Sequence, residues 1–511
     1  MFNSEAPFKK IVSESAMRKI DRAQIRQSVA KCFKWIMFSH TWEGEEPTLK
    51  DVNLVDSVWE LDDSPLNEKL RQFCTTASKD GYRWAWSDTC CIDKDTSAIL
   101  SQSLIAMYTW YEKASETVVY LADVLSSAEL SDLALTNSRW MTRAWTLQEL
   151  LASKVIRFYN RDWKLYLNDT HANHKESPTI KQELARAMGV APETITSFQP
   201  EDLGVREKLR LASTRNATVE EDIAYSLIGI FASNIVPRYG LGSAALGELL
   251  ENIISRTGDV TVIAWTGKSL LYNSALPDSL AVYSQAPYSP PPMENKELDT
   301  CAEQLRAQLA LQDALMLHYR VTQTPRATFS NRCLQLPCIL FYVTKLGVQE
   351  LGGSEGTHYR ATVSSLGKVE FRTADVMPLK KPRKLIFVHP WLRDLQDPLD
   401  GFMSEDGPES ESSVGSSDEA EAEPDAGSSS GDHDASAPAS PLHAEPSPRV
   451  DSSTLALRLV VRLGRPFNAL LLEQQPNGQY KRVAAEHEII VPGVPYQTKP
   501  KDIKLKVVEI V

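Results

Sequence analysis

One segment constrains this chain more than any other: Trp84-Ala-Trp-Ser-Asp-Thr-Cys-Cys-Ile-Asp-Lys94. It reads as a buried strand that stops abruptly in carboxylates and thiols. After Lys94 the pattern becomes helical. Leu100, Leu104, Met107, Tyr108 and Tyr111 fall at i, i+4, i+7, i+8 and i+11, one face of an α-helix. Further strands are expected at Phe33–Phe38, Thr117–Ala122 and Lys154–Tyr159, with a helix at Trp145–Ser153 before the last. Strand–helix alternation predicts an α/β fold, a parallel sheet with helices on its faces. In such sheets ligands bind beyond the carboxyl ends of the strands. Asp88 and Asp93 sit there.

The rest of the chain divides by composition. Residues 1–165 form the α/β domain. Residues 166–270 are mostly helical, with Thr218 as an N-cap, Glu221 as its capping-box partner and a strongly apolar helix over Asp222–Phe231. Residues 271–400 and 453–511 read as one β-rich C-terminal domain. Its strand candidates include Pro337–Thr344, Lys384–His389, Leu455–Leu463, Phe467–Gln474 and Lys481–Val491, and Pro476-Asn-Gly478 marks a hairpin. Between the two parts, residues 401–452 form a disordered acidic insertion, because a Ser/Pro-rich tract cannot bury enough apolar area to order itself.

That tract accounts for the charge. Residues 404–446 carry twelve Asp and Glu and no Lys or Arg, which equals the net charge of −12 of all 511 residues. The remainder is near neutral, so no basic face argues for nucleic acid. No apolar run approaches the roughly 18 residues of a membrane span. The polar N-terminus is not a signal peptide, and seven cysteines without paired spacing suggest neither a disulfide framework nor a metal site. A reducing cytoplasmic setting is expected, with no membrane and no nucleic acid as partner.

Four blocks carry a family resemblance. Asp88-Thr-Cys-Cys-Ile-Asp-Lys94 resembles the central signature of the fungal heterokaryon-incompatibility (HET) domain, in its basidiomycete variant. Phe38-Ser-His-Thr-Trp42 resembles the first HET block, and Ser138-Arg-Trp-Met-Thr-Arg-Ala-Trp-Thr-Leu-Gln-Glu149 the third. Glu221-Asp-Ile-Ala-Tyr-Ser-Leu-Ile-Gly-Ile-Phe231 resembles the helical segment that often follows the domain. The resemblance implies a TIR-like fold and a role in non-self recognition and programmed cell death. It implies as partners either a second copy of the chain or another incompatibility protein. No cofactor is required, but NAD becomes a candidate substrate, since some TIR domains cleave its glycosidic bond with a glutamate.

That chemistry needs a carboxylate beside the ribose and a site that stabilises an oxocarbenium-like transition state. Glu149 and Asp88 are the catalytic candidates. Ser39, Trp42, Asp93, Arg143 and Trp145 are the candidates for holding NAD. Each has a structural alternative: turn capping for Ser39, Asp88 and Asp93, and a buried Arg143–Glu149 contact holding helix to sheet. Cys90 and Cys91 read as inert thiols. The family's helix glutamate, about eight residues past the cysteine, is absent: position 99 is isoleucine. With Thr96 as N-cap, position 99 is N3, where a glutamate would complete a capping box. Ile99 therefore favours a signalling or scaffold module, with an NAD glycohydrolase released by self-association as the alternative.

Overall fold

The computed structural model describes residues 9–10, 13, 22–125, 133–349, 357–390, 451–496 and 498–511. The acidic tract expected to be disordered lies, but for Asp451 and Ser452, outside the described residues.

Four strands form the N-terminal sheet: β1 (Trp35–His40), β2 (Trp84–Trp86), β3 (Glu116–Tyr120) and β4 (Ile156–Tyr159). All pair in parallel, in the order β2-β1-β3-β4. Side chains alternate across each strand, so each face has its own core. Ile36, Phe38, Val118 and Tyr120 pack against the helix Pro65–Lys79 through Leu70, Phe73 and Ala77. Met37 packs on the other face with Leu104, Met107 and Tyr111 of the helix Ser97–Lys113. The helix Ala144–Ala152 covers that same face and is buried along nearly its whole length. The parallel α/β reading therefore holds.

β1 begins two residues later than expected and runs through Ser39 and His40. Those residues thus end the strand rather than follow it, and their side chains point to opposite faces. The β1-to-β2 connection runs one way across the sheet and β3-to-β4 the other. Ser39 and His40 stand at that reversal, the usual place for a ligand crevice in open α/β sheets.

The helical segment contains Pro178–Met188, Val205–Ala212 and Ala244–Thr257. The long helix expected over Asp222–Phe231 is not formed. Only Asp222–Tyr225 is α-helical, and the chain continues in tight turns to Ala232, which has a left-handed φ of 47°. Glu221 does not complete a capping box with Thr218. Its carboxylate accepts the N–H groups of Gly240 and Gly242 at 2.8 and 2.9 Å. Periodicity alone could not foresee that a distant loop would take this acid. The turns bring Gly229 directly onto Tyr108 of the helix Ser97–Lys113, where a β-carbon would collide with the tyrosine side chain.

The C-terminal part opens with two helices, Asn295–Arg306 and Leu311–Thr322, before its strands begin. Leu455–Leu463, expected as a strand, is helical within Ser452–Leu463. Its N-cap Asp451 accepts Ser453 N–H, and Arg458 pairs with Asp299 at 2.7 Å. The segment is buried almost all round, which erases the polar stripe that marks a helix in sequence. The hairpin is as expected: Gly478 has a φ of 90° and Gln474 pairs with Tyr480. Strand Leu385–Pro390, before the acidic tract, pairs with both Cys333–Gln349 and Phe467–Gln474, which lies after it. Both sides of the tract thus share one sheet.

The contact at Gly229 yields a test. Gly229→Ala inserts a methyl where no space exists and should destabilise the protein by roughly 1–3 kcal/mol. A urea midpoint unchanged from wild type would rule out so close an approach to Tyr108.

Candidate functional site

Two networks meet at the end of β1, one on each face of the sheet. On the helix Ala144–Ala152 face, Trp140 Nε1–H donates to Ser39 Oγ at 2.7 Å. Ser39 has one hydroxyl proton, and it goes to Glu149 Oε2. The direction of this chain is therefore fixed: Trp140 to Ser39 to Glu149. Tyr111 lies against the same carboxyl group and donates its O–H to Phe38 O at 3.0 Å. Glu149 is fully buried. Burial raises its pKa to about 8, against the opposing pull of the Ser39 hydrogen bond, with Asp88 pushing further upward. At neutral pH the group is mostly a neutral carboxylic acid.

On the opposite face, His40 lies between two carboxylates. Its Nδ1 is 3.5 Å from Glu46 Oε2 and its Nε2 is 3.5 Å from Asp88 Oδ1. These are ion-pair contacts, longer than ordinary hydrogen bonds. Burial disfavours the imidazolium, but Asp88 and Glu46 outweigh it and hold the ring at about 9. Glu46 also binds Lys69 Nζ at 2.5 Å, and Lys69 donates to Thr41 O at 3.2 Å. Burial works against the Glu46 carboxylate, yet His40 and Lys69 bring it down to about 2. Asp88 accepts the Trp42 indole N–H at 2.9 Å, and the Lys94 ammonium sits 3.7 Å from the centre of the Trp42 ring. Trp42 is 48% exposed, so it forms the outer edge of the site.

The candidates thus separate. Ser39, Glu149, Asp88 and Trp42 converge at one strand end. Asp93 does not join them: its carboxylate accepts the N–H groups of Asp95 and Thr96 and the Thr96 hydroxyl. It braces the start of the helix Ser97–Lys113, where the side chain of the N-cap Thr96 accepts no helix N–H. Arg143 and Trp145 turn away as well. Arg143 donates to Thr218 Oγ1 at 3.1 Å, and Trp145 reaches Asp222, which Tyr239 also holds at 2.8 Å. Both fasten the sheet domain to the helical segment.

The arginine beside Glu149 is Arg215, not Arg143. Arg215 is fully buried and donates at 2.9 Å to both Arg143 O and Thr146 Oγ1. Burial lowers its pKa to about 9 despite the nearby Glu149. Nothing in sequence marks Arg215 or Lys69 for the site, because each acts on a partner more than 20 residues away, and Tyr111 was legible only as part of a helix stripe. Trp140 lay inside the third block. Both thiols are free: Cys90 is buried, whereas Cys91 is exposed and a hydrogen bond with Cys90 holds its pKa below the ordinary value. His174 is buried, its Nδ1 accepting Phe158 N–H at 3.0 Å. Ile99 is 44% exposed. Among the described residues, no three His, Cys, Asp or Glu are placed to hold a metal ion, and no helix is long and apolar enough to cross a membrane.

This geometry sits within a family match. Residues 35–134 match the family model described as Heterokaryon incompatibility protein (HET). That segment is therefore similar to a HET domain. The vegetative incompatibility protein HET-E-1 of Podospora anserina is 33% identical over 228 residues, covering 43% of this chain. This chain spans 16% of that relative's length. No solved structure gives a significant match. The matched HET residues contain β1, β2 and β3, while Trp140 and Glu149 lie beyond them.

The burial of Glu149 sets a pH dependence. Its native pKa of about 8 lies above the ordinary 4.5. The folded protein therefore binds more protons than the unfolded chain between those values. The resulting stability is complete below about pH 4.5 and is lost as pH rises through 8. His40, raised from 6.5 to about 9, acts in the same direction over its own window. Glu149→Gln keeps the shape without the charge. It should match wild type near pH 5 and exceed it at pH 8.5 by an amount on the order of a few kcal/mol. Parallel urea-midpoint-against-pH curves for the two proteins would contradict this assignment.

Proposed function

We propose that this chain acts in heterokaryon incompatibility, the fungal discrimination of self from non-self that ends in cell death. Its HET domain serves there as a non-catalytic signalling or scaffold module. The family match and the incompatibility relative support the process. One observation carries the mechanism: Glu149, the best-placed carboxyl group at the strand end, is buried to 8% exposure and bound by Ser39. A group that attacks or orients a ribose has to face its substrate. Asp88 is likewise held by Trp42 and faced by His40.

Ile99 points the same way, offering solvent an apolar contact where the family pattern has an acid. The parallel order β2-β1-β3-β4 supports a TIR-like arrangement. A cytoplasmic site of action fits the unpaired cysteines. The partner is a second copy of the chain or another incompatibility protein, joined through domain–domain contacts.

NAD consumption by concentrated, purified protein tests the mechanism. Wild type, Ile99→Glu, Ile99→Gln and Glu149→Gln are compared. None is expected to turn NAD over. Turnover by wild type that disappears in Glu149→Gln would replace the scaffold with an NAD glycohydrolase. Turnover gained only by Ile99→Glu would mark position 99 as a catalytic slot that this chain has lost. Inducible expression in fungal hyphae tests the process. Growth arrest should occur with wild type and persist with Glu149→Gln. Normal growth with well-expressed wild type would sink the incompatibility role.

A further inference from the structure

A concave site is formed by residues other than those at the end of β1. It is a cleft of about 410 Å³ where residues 260–264 and the Pro-rich loop 287–293 meet the C-terminal sheet. That volume is within the usual range of small-molecule sites. Its walls are largely apolar, with Val260, Ile263, Leu298, Phe467 and Leu470 among them.

His389 lines this cleft and is only 5% exposed. Its ring stacks flat on Phe467, with centroids 3.8 Å apart and an interplanar angle of 8°. Its Nδ1 has no hydrogen-bond partner. Burial drives the pKa down to about 3, so the imidazole is neutral. A buried nitrogen without a partner is costly, and a phenylalanine of similar shape would avoid that cost. The position therefore carries a polar group that packing does not need.

Two arginines, Arg462 and Arg465, line the same cleft. Arg465 donates through Nη2 to Pro291 O, which holds its guanidinium against the Pro-rich loop. The nearby acid, Glu488, is not among the lining residues. It is engaged by Asn468 Nδ2 and by Tyr288 N–H, each at 2.8 Å. The cleft thus combines a largely apolar interior, a neutral imidazole without a partner on Nδ1 and a cationic side.

We infer that this cleft binds a small amphipathic anion: an apolar ring system or short chain bearing a carboxylate or sulfonate. The apolar body fills the space beside Phe467 and Leu470. The anionic head lies toward Arg465 and Arg462, and His389 supplies a hydrogen bond to the ligand. The site is independent of the incompatibility reading.

Calorimetric titration of the full chain tests the inference with three probes: naphthalene-2-sulfonate, octanoate and the neutral naphthalene-2-methanol. One or both anions should bind with a stoichiometry of one, about tenfold more tightly than the neutral probe. Preference between the two anions distinguishes a ring from a chain as the apolar body. Arg465→Met and His389→Phe should each weaken anion binding about tenfold or more. Thermal unfolding supplies the control: ligand-free His389→Phe should melt at or above the wild-type temperature, because it removes the unpartnered nitrogen. Absence of saturable anion binding in the millimolar range would overturn the inference. So would anion binding that both variants leave unchanged.

Discussion

The buried carboxyl of Glu149 is the constraint around which the N-terminal half is arranged. A carboxyl group without water has to be neutralised, hydrogen-bonded or both. Here Ser39 supplies the hydrogen bond from the end of β1, and Trp140 fixes the direction of Ser39. Arg215 lies close by from the helical segment and ties itself to the first turn of the same helix through Arg143 O and Thr146 Oγ1. One side chain thus joins strand, helix and following segment. Bonds to Arg143 and Trp145 and the fit of Gly229 on Tyr108 extend that junction. These contacts pack the N-terminal sheet against the helical segment after it.

On the other face of β1, charge is handled differently. Glu46, Lys69, His40 and Asp88 form an alternating series in which each ion has an opposite neighbour. This arrangement keeps His40 charged in spite of burial, whereas Glu149, a few ångströms of sheet away, is kept mostly neutral. Two adjacent residues of one strand therefore serve two electrostatic regimes. A site whose buried charges are paired in this way is suited to holding a shape, and Trp42 and Lys94 lie at its outer edge.

Much of the fold was legible in the chain. The β-branched and aromatic runs located all four strands of the first sheet, and the Leu104–Met107–Tyr111 stripe located the helix beneath it. The readings that failed share a cause. Leu455–Leu463 lacks a polar stripe because its helix is buried on nearly every side, so its pattern resembles a strand. Asp222–Phe231 has the apolar content of a helix, but Gly240 and Gly242 recruit Glu221, and the chain tightens into turns that press Gly229 on Tyr108.

The sequence by itself determined the parallel α/β character, the HET resemblance, the hairpin at Pro476–Gly478 and the absence of the family's acid at position 99. These depend on local periodicity, turn chemistry and short motifs. Only the tertiary structure decided which candidates lie at the same strand end. It separated Ser39, Trp42, Asp88 and Glu149 from Asp93, Arg143 and Trp145, and it placed Arg215 where Arg143 was expected. It also brought His389 and Arg465 to one cleft from opposite sides of the acidic tract. Burial and pairing of charge depend on partners scores of residues apart, and no short stretch of sequence contains that information.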